Sequence, residues 1–162
     1  IGCGAYPLLL ESVHAAERVG IDQDVAADVA NECARDGIRL IVHDITRDDA
    51  LPLESDYFDT VTMLAVVEHL PADSATAVTR EVFRVLRPGG VFVLTTPAAW
   101  ADVILWTMAR LSLVSAEEID EHKTLFTRAS LERLLHSGGF ENMRIASGTF
   151  ELGMNLWASA TK

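Results

Sequence analysis

Residues 1–7 read Ile-Gly-Cys-Gly-Ala-Tyr-Pro, and the meaning of this short stretch decides the fold. An apolar residue followed by Gly-x-Gly marks a buried strand turning into a helix. Gly2 and Gly4 let the backbone approach a ligand closely, and Pro7 suits the first turn of the helix that follows. The strand that should carry this loop has no counterpart ahead of Ile1. We therefore expect the first strand of the sheet to be missing and the chain to be truncated at its N-terminus. Expressed from Ile1, such a chain should expose unpaired sheet edges and aggregate.

A glycine loop alone is a weak signal. It gains weight from Asp22, which ends the next strand candidate, "ERVGID" at 17–22, 18 residues beyond Gly4. A carboxylate at that spacing accepts hydrogen bonds from both hydroxyls of a ribose, so the pair points to a nucleoside-containing cofactor. The competing reading is a structural glycine turn beside a surface aspartate.

Working outward, short β-branched runs alternate with helical patterns, the signature of a parallel sheet covered by helices. Strand candidates are residues 17–22, "IRLIVHD" at 38–44, "FDTVTMLAV" from Phe58 and "GVFVLTT" from Gly90. Between them, Asp24 is expected to cap a helix with Val25, Val29 and Cys33 on one face, ending at Gly37. Asp73 or Ser74 is expected to cap another with Val78, Val82, Val85 and Leu86, ending at "RPGG". A third helix starts near Thr127, buries Leu131, Leu134 and Leu135, and ends at Gly138 and Gly139. Residues 140–162 read as two final strands in an antiparallel hairpin. The expected architecture is α/β, a Rossmann-like, doubly wound, mostly parallel sheet in a single domain over residues 1–162.

Composition narrows the partners. With 24 acidic and 13 basic residues among 162, the formal charge of -11 repels phosphate backbones and anionic lipid headgroups, so no nucleic acid partner is expected. Cys3 and Cys33 are the two cysteines and form no metal-ligand spacing, which argues against a zinc site or a disulfide framework and for a cytoplasmic setting. The apolar run "VILWTMARLSLV" from Val103 is interrupted by Arg110, so no integral membrane contact is expected.

Taken in order and spacing, "IGCG" (1–4), "VGIDQD" (19–24), "HDITRDDALPLESDYFDTVTMLAVVEHLP" (43–71) and "REVFRVLRPGGVFVLTTP" (80–97) resemble class I S-adenosylmethionine-dependent methyltransferases. The likeness is to the small-molecule branch that includes ubiquinone and menaquinone biosynthesis enzymes. It is nearly continuous to Pro97, looser beyond, and returns in "DEHKTLFTRASLERLLHSGGFE" (120–141). The resemblance implies S-adenosyl-L-methionine as cofactor, S-adenosyl-L-homocysteine as product, and a small-molecule methyl acceptor in a monomer or homodimer.

It also implies residue roles. Gly2, Cys3 and Gly4 would lie against the amino-acid part and ribose, Asp22 would bind the ribose hydroxyls with Gln23 beside it, and Asp44 would meet the adenine amino group with Ile45 on the ring. Leu64 and Ala65 would contact the methionine moiety. For Asp44 a turn cap within "HDITRDD" is the alternative. Two departures stand out: Tyr6 replaces a third small residue, and the acidic residue usual two before the first glycine would precede Ile1.

His69, beside Glu68, and His122 are the candidate general bases. A structural wall role for His69 and a surface-loop role for His122 remain open, while His14, His43 and His136 read as structural. The absence of a triad is no objection, because methyl transfer needs mainly alignment. Residues 98–123 are expected to form a helical lid over the acceptor, with Trp100, Trp106, Met108 and Leu111 lining an apolar cavity or a core helix. Two other readings compete: a nicotinamide-dependent oxidoreductase, disfavoured by Pro7 at the place of a third glycine, and a non-catalytic module of the same fold. Nucleic-acid methylation is disfavoured by the lack of a [DN]PP[YF] stretch.

Overall fold

A computed structural model describes residues 1–47, 50–101 and 124–162. The chain divides into two compact units, Ile1–Leu51 and Pro52–Lys162. His122, Trp106, Met108, Leu111 and most of the expected lid lie outside the described residues.

The first unit contains α1 (Leu8–Ser12), β1 (Arg18–Asp22), α2 (Ala27–Arg35) and β2 (Ile38–Val42). β1 and β2 pair in parallel, with Gly20 opposite Leu40 and Asp22 opposite Val42. Both strands therefore end side by side. Ile21, Cys33, Ile38 and Leu51 are buried. Pro7 stands at the N-cap of α1, one position ahead of the expected first turn. α2 begins later than Asp24: its N-cap is Ala26, without a side-chain cap. The Asp24 amide donates instead to Asp22 Oδ1 at 3.2 Å, so the turn after β1 takes this residue before the helix can.

The second unit contains β3 (Phe58–Leu64), a 3-10 turn at Val67–His69, α3 (Ala72–Val85), β4 (Leu86–Pro97), α4 (Arg128–Ser137), β5 (Ile145–Phe150) and β6 (Asn155–Thr161). Its sheet runs β3-β4-β6-β5. β3 and β4 are parallel, and β6 is antiparallel to both β4 and β5, which bears out the C-terminal hairpin. Alternate residues of β4 and β6, including Phe92, Leu94, Leu156 and Ala158, are buried. α3 contributes Val78, Val82 and Val85 to the core, and α4 contributes Leu131, Leu134 and Leu135. Phe140 packs between Phe83 and Phe92, with ring centroids 5.1 and 6.0 Å away.

Two expected boundaries shift. α3 is capped by Pro71 rather than Asp73 or Ser74; its φ of -55° is already helical in sign and its carbonyl accepts from Ala75 at 2.8 Å. Asp73 falls in the first turn, where a carboxylate suits the helix dipole. The helix ends at Val85 and "RPGG" is drawn into β4, because Leu86 already pairs with Phe58 and an irregularity between Phe58 and Thr60 absorbs the extra residues. α4 matches its expected start: Thr127 and Ser130 form a reciprocal capping box.

No helix among the described residues is long and apolar enough to cross a membrane, and no described group of three acidic, histidine or cysteine residues is arranged to hold a metal ion.

Candidate functional site

In the first unit the opening loop folds back on β1. The amides of Gly2 and Cys3 both donate to Ile21 O, at 2.8 and 3.3 Å. Gly2 and Gly4 each adopt φ of 68°, a conformation that costs a residue with a Cβ about 1–2 kcal/mol. The Gly4 amide then donates to Asp22 Oδ2 at 2.7 Å. Asp22 thus has each oxygen oriented by a backbone amide, Gly4 on one and Asp24 on the other. Each oxygen keeps a further lone pair for an incoming hydroxyl. The space where a Gly4 side chain would stand is open, with nothing within 4 Å. An oriented carboxylate with free lone pairs beside an open glycine loop is chemically suited to accept the hydroxyls of a ribose.

The loop's packing depends on Gly20. A Cβ there would lie 2.7 Å from Leu40 Cδ2 and 2.9 Å from both Cys3 Sγ and Leu10 Cδ1. Burial, reinforced by the nearby Asp22 charge, pushes the Cys3 thiol pKa up, so this cysteine stays protonated and packs as a small apolar group.

The end of β2 lies next to Asp22, since the His43 amide donates to Asp22 O at 2.8 Å. Asp44 Oδ1 accepts from the Thr46 hydroxyl at 2.6 Å and the Thr46 amide at 2.9 Å, and Oδ2 faces Arg47 Nε at 3.0 Å. The Thr46 hydroxyl and then its amide hold the Asp44 carboxyl below the ordinary aspartate range. Asp44 therefore caps its own turn, with Ile45 half-buried beside it. Gln23 is exposed next to Asp22.

In the second unit Leu64 closes β3 and is 40% exposed. Ala65 turns the chain with φ of 53°, and its amide is held by Thr95 O at 3.0 Å and by Thr95 Oγ1 at 3.3 Å. Glu68 is buried and His69 half-buried in the turn that follows. Thr124 fastens that turn: its amide donates to Glu68 O at 3.0 Å and its hydroxyl to Leu70 O at 2.8 Å.

The family model described as Methyltransferase domain matches residues 1–94, more than half of the chain. The chain belongs to this methyltransferase family. A probable S-adenosylmethionine-dependent methyltransferase of Mycolicibacterium smegmatis is 36% identical over 141 residues, 86% of this chain and 50% of that protein. A ubiquinone biosynthesis O-methyltransferase of Aeromonas salmonicida is 28% identical over 172 residues, 96% of this chain and 70% of that one. The chain thus spans half the length of the first relative. Among solved structures, a SAM-dependent methyltransferase from Thermotoga maritima aligns with a TM-score of 0.64 at 17% identity, covering 90% of this chain and 72% of that one. At that identity the likeness concerns the fold.

For this methyltransferase-family chain, the structure brings Gly2, Cys3 and Gly4 together with Asp22, sets Asp44 and Ile45 just beyond the end of β2, and places Leu64, Ala65 and His69 at and after the end of β3 in the second unit. Gly20, Thr95 and Thr124 escaped the sequence reading. A glycine inside the strand candidate "RVGID" is the signal for the first, because it marks a close approach. Thr95 and Thr124 act through contacts distant in sequence, which no local pattern announces.

Proposed function

We propose that the chain transfers a methyl group from S-adenosylmethionine to a small-molecule acceptor by in-line displacement. The observation that carries this reading is the Gly4 amide on Asp22 Oδ2 at 2.7 Å, inside the stretch matched by the methyltransferase family. The names of both curated relatives support it: one is S-adenosylmethionine-dependent, and the other methylates oxygen in quinone biosynthesis.

When bound, the cofactor supplies a methyl carbon activated by a sulfonium. Asp22 accepts the ribose hydroxyls, and the backbone of Gly2, Cys3 and Gly4 lies against the ribose and amino-acid part, with Gln23 at the rim. Asp44 would offer its one remaining lone pair, on Oδ2, to the adenine amino group, and Ile45 would cover the ring. Leu64 and Ala65 take the methionine side by apolar and backbone contact. His69, or His122, holds the acceptor's proton as it leaves; alignment supplies much of the rest. The negative charge supports an acceptor other than nucleic acid. The free thiols of Cys3 and Cys33 suit a reducing, cytoplasmic setting.

Isothermal titration of the protein with S-adenosylhomocysteine tests the reading. One-to-one binding, with none of NADH, is expected; a folded protein that binds no S-adenosylhomocysteine overturns it.

A further inference from the structure

The turn joining β5 to β6, Glu151–Gly153, is built against backbone preference. Glu151, Leu152 and Gly153 adopt φ of 50°, 58° and 84°, three left-handed residues in a row, of which only the glycine escapes a steric penalty. The Met154 amide closes the turn on Glu151 O at 3.1 Å, and Asn155 Nδ2 donates to Glu151 Oε2. This strain gains no burial, since Leu152 is 96% exposed. A turn that only reversed the chain would favour Gly or Asn at such positions.

Other exposed apolar groups collect beside it. Trp100 is half exposed, and its Cζ2 lies 3.6 Å from the Cβ position of Gly153. The Ala98 amide donates to Met154 O at 2.7 Å, which ties the turn to the end of β4. Met154 and Leu125 are exposed too, and Leu125 is brought close because Ala99 N donates to Phe126 O. This is the end of the sheet at which Leu64 and Ala65 finish, since Ala65 N pairs with Thr95 O. At about 4.8 Å between neighbouring strands, β6 runs about 10 Å across the sheet from β3, roughly the width of a one- or two-ring molecule.

We propose that Leu152, Trp100 and Met154 form an apolar wall that selects the methyl acceptor, and that the acceptor carries an uncharged apolar ring or chain. The proposal rests on the methyl-transfer reading and deepens it. The only ionisable side chain in the turn is acidic, Glu151, which disfavours an anionic acceptor group at the wall.

The test titrates the protein with 4-alkylphenols from methyl to butyl, and separately with S-adenosylhomocysteine. Affinity should rise about fourfold per added methylene in the wild type, the usual return for burying a CH2 group. In Leu152→Gly and Trp100→Ala that rise should flatten while S-adenosylhomocysteine affinity stays unchanged. Leu152→Gly relieves the left-handed strain, so its Tm should equal or exceed that of the wild type, which separates lost binding from lost folding. Affinity independent of chain length in the wild type, or a rise unchanged in Leu152→Gly, overturns the wall. So does sedimentation showing that the patch joins two copies of the chain and that Leu152→Gly separates them. Absent S-adenosylhomocysteine binding with the chain-length dependence intact would instead overturn the methyl-transfer reading, and with it the wall's role toward a methyl acceptor, while leaving the wall as an apolar binding surface.

Discussion

The Gly4 amide and Asp22 Oδ2 meet across 2.7 Å, tying the glycine loop to the end of β1 although 18 residues separate them in sequence. A second amide, that of Asp24, orients the other oxygen of the same carboxylate. Asp22→Ala removes the charge-assisted acceptor and should weaken S-adenosylhomocysteine binding by roughly 1.5–3 kcal/mol, read by isothermal titration. Unchanged affinity in a folded variant would sink the ribose assignment.

His69 sits in a turn fastened by its own amide on Val66 O at 3.0 Å and by Thr124. As a general base it should be worth about 10²–10⁴ in kcat. His69→Asn should therefore lower kcat by that factor with any acceptor that supports turnover, while S-adenosylhomocysteine affinity stays constant. Equal losses in affinity and turnover would mark a wall residue instead.

Asp44 is acidified mainly by the Thr46 hydroxyl. Thr46→Val keeps the shape and removes that donor, so the Asp44 pKa should move up toward its ordinary value in a carbonyl-detected NMR titration. An unmoved pKa would assign the effect to the Thr46 amide and Arg47.

Glu132 on α4 is hydrogen-bonded by the hydroxyl of Ser147 on β5, and Arg128 Nε donates to both, at 3.1 Å to Glu132 and 2.7 Å to Ser147. The Ser147 bond, then Arg128, lowers the Glu132 pKa. A lowered folded pKa means that the unfolded state binds the proton first on acidification. The contribution is complete above the ordinary glutamate pKa and is lost as pH falls through the lowered one. Glu132→Gln should thus narrow the Tm difference between neutral and strongly acidic pH; an unaltered difference would show the cluster to be energetically silent.

Gly138 is buried at the end of α4, where a Cβ would run into Thr79 Cγ2 and come 2.9 Å from Thr79 Cβ on α3. Gly138→Ala should cost about 1–3 kcal/mol by overpacking, measured by urea unfolding. Thr79→Ser keeps the hydroxyl that donates to Ala75 O at 2.7 Å and removes the methyl, so it should restore part of the loss. Simple additivity of the two changes would disprove the contact.

Local signals carried α4, whose Thr127–Ser130 cap and Leu131, Leu134, Leu135 spacing lie within one short stretch. They also carried β1 and the carboxylate at its end, because an alternating run and an acid at fixed distance from a glycine loop need no distant partner to be read. By themselves these patterns determined the α/β class, the hairpin and the family. Tertiary structure alone decided that β6 lies between β4 and β5, since period-two patterning says which face is buried and not which strand is the neighbour. It decided, against capping preference, that Asp24 serves the turn beside Asp22 and that Pro71 starts α3. It also decided that Leu152 stands in solvent at the strained end of a hairpin. Each of these outcomes depends on backbone geometry and on groups far apart in sequence, where local propensity is the weaker force.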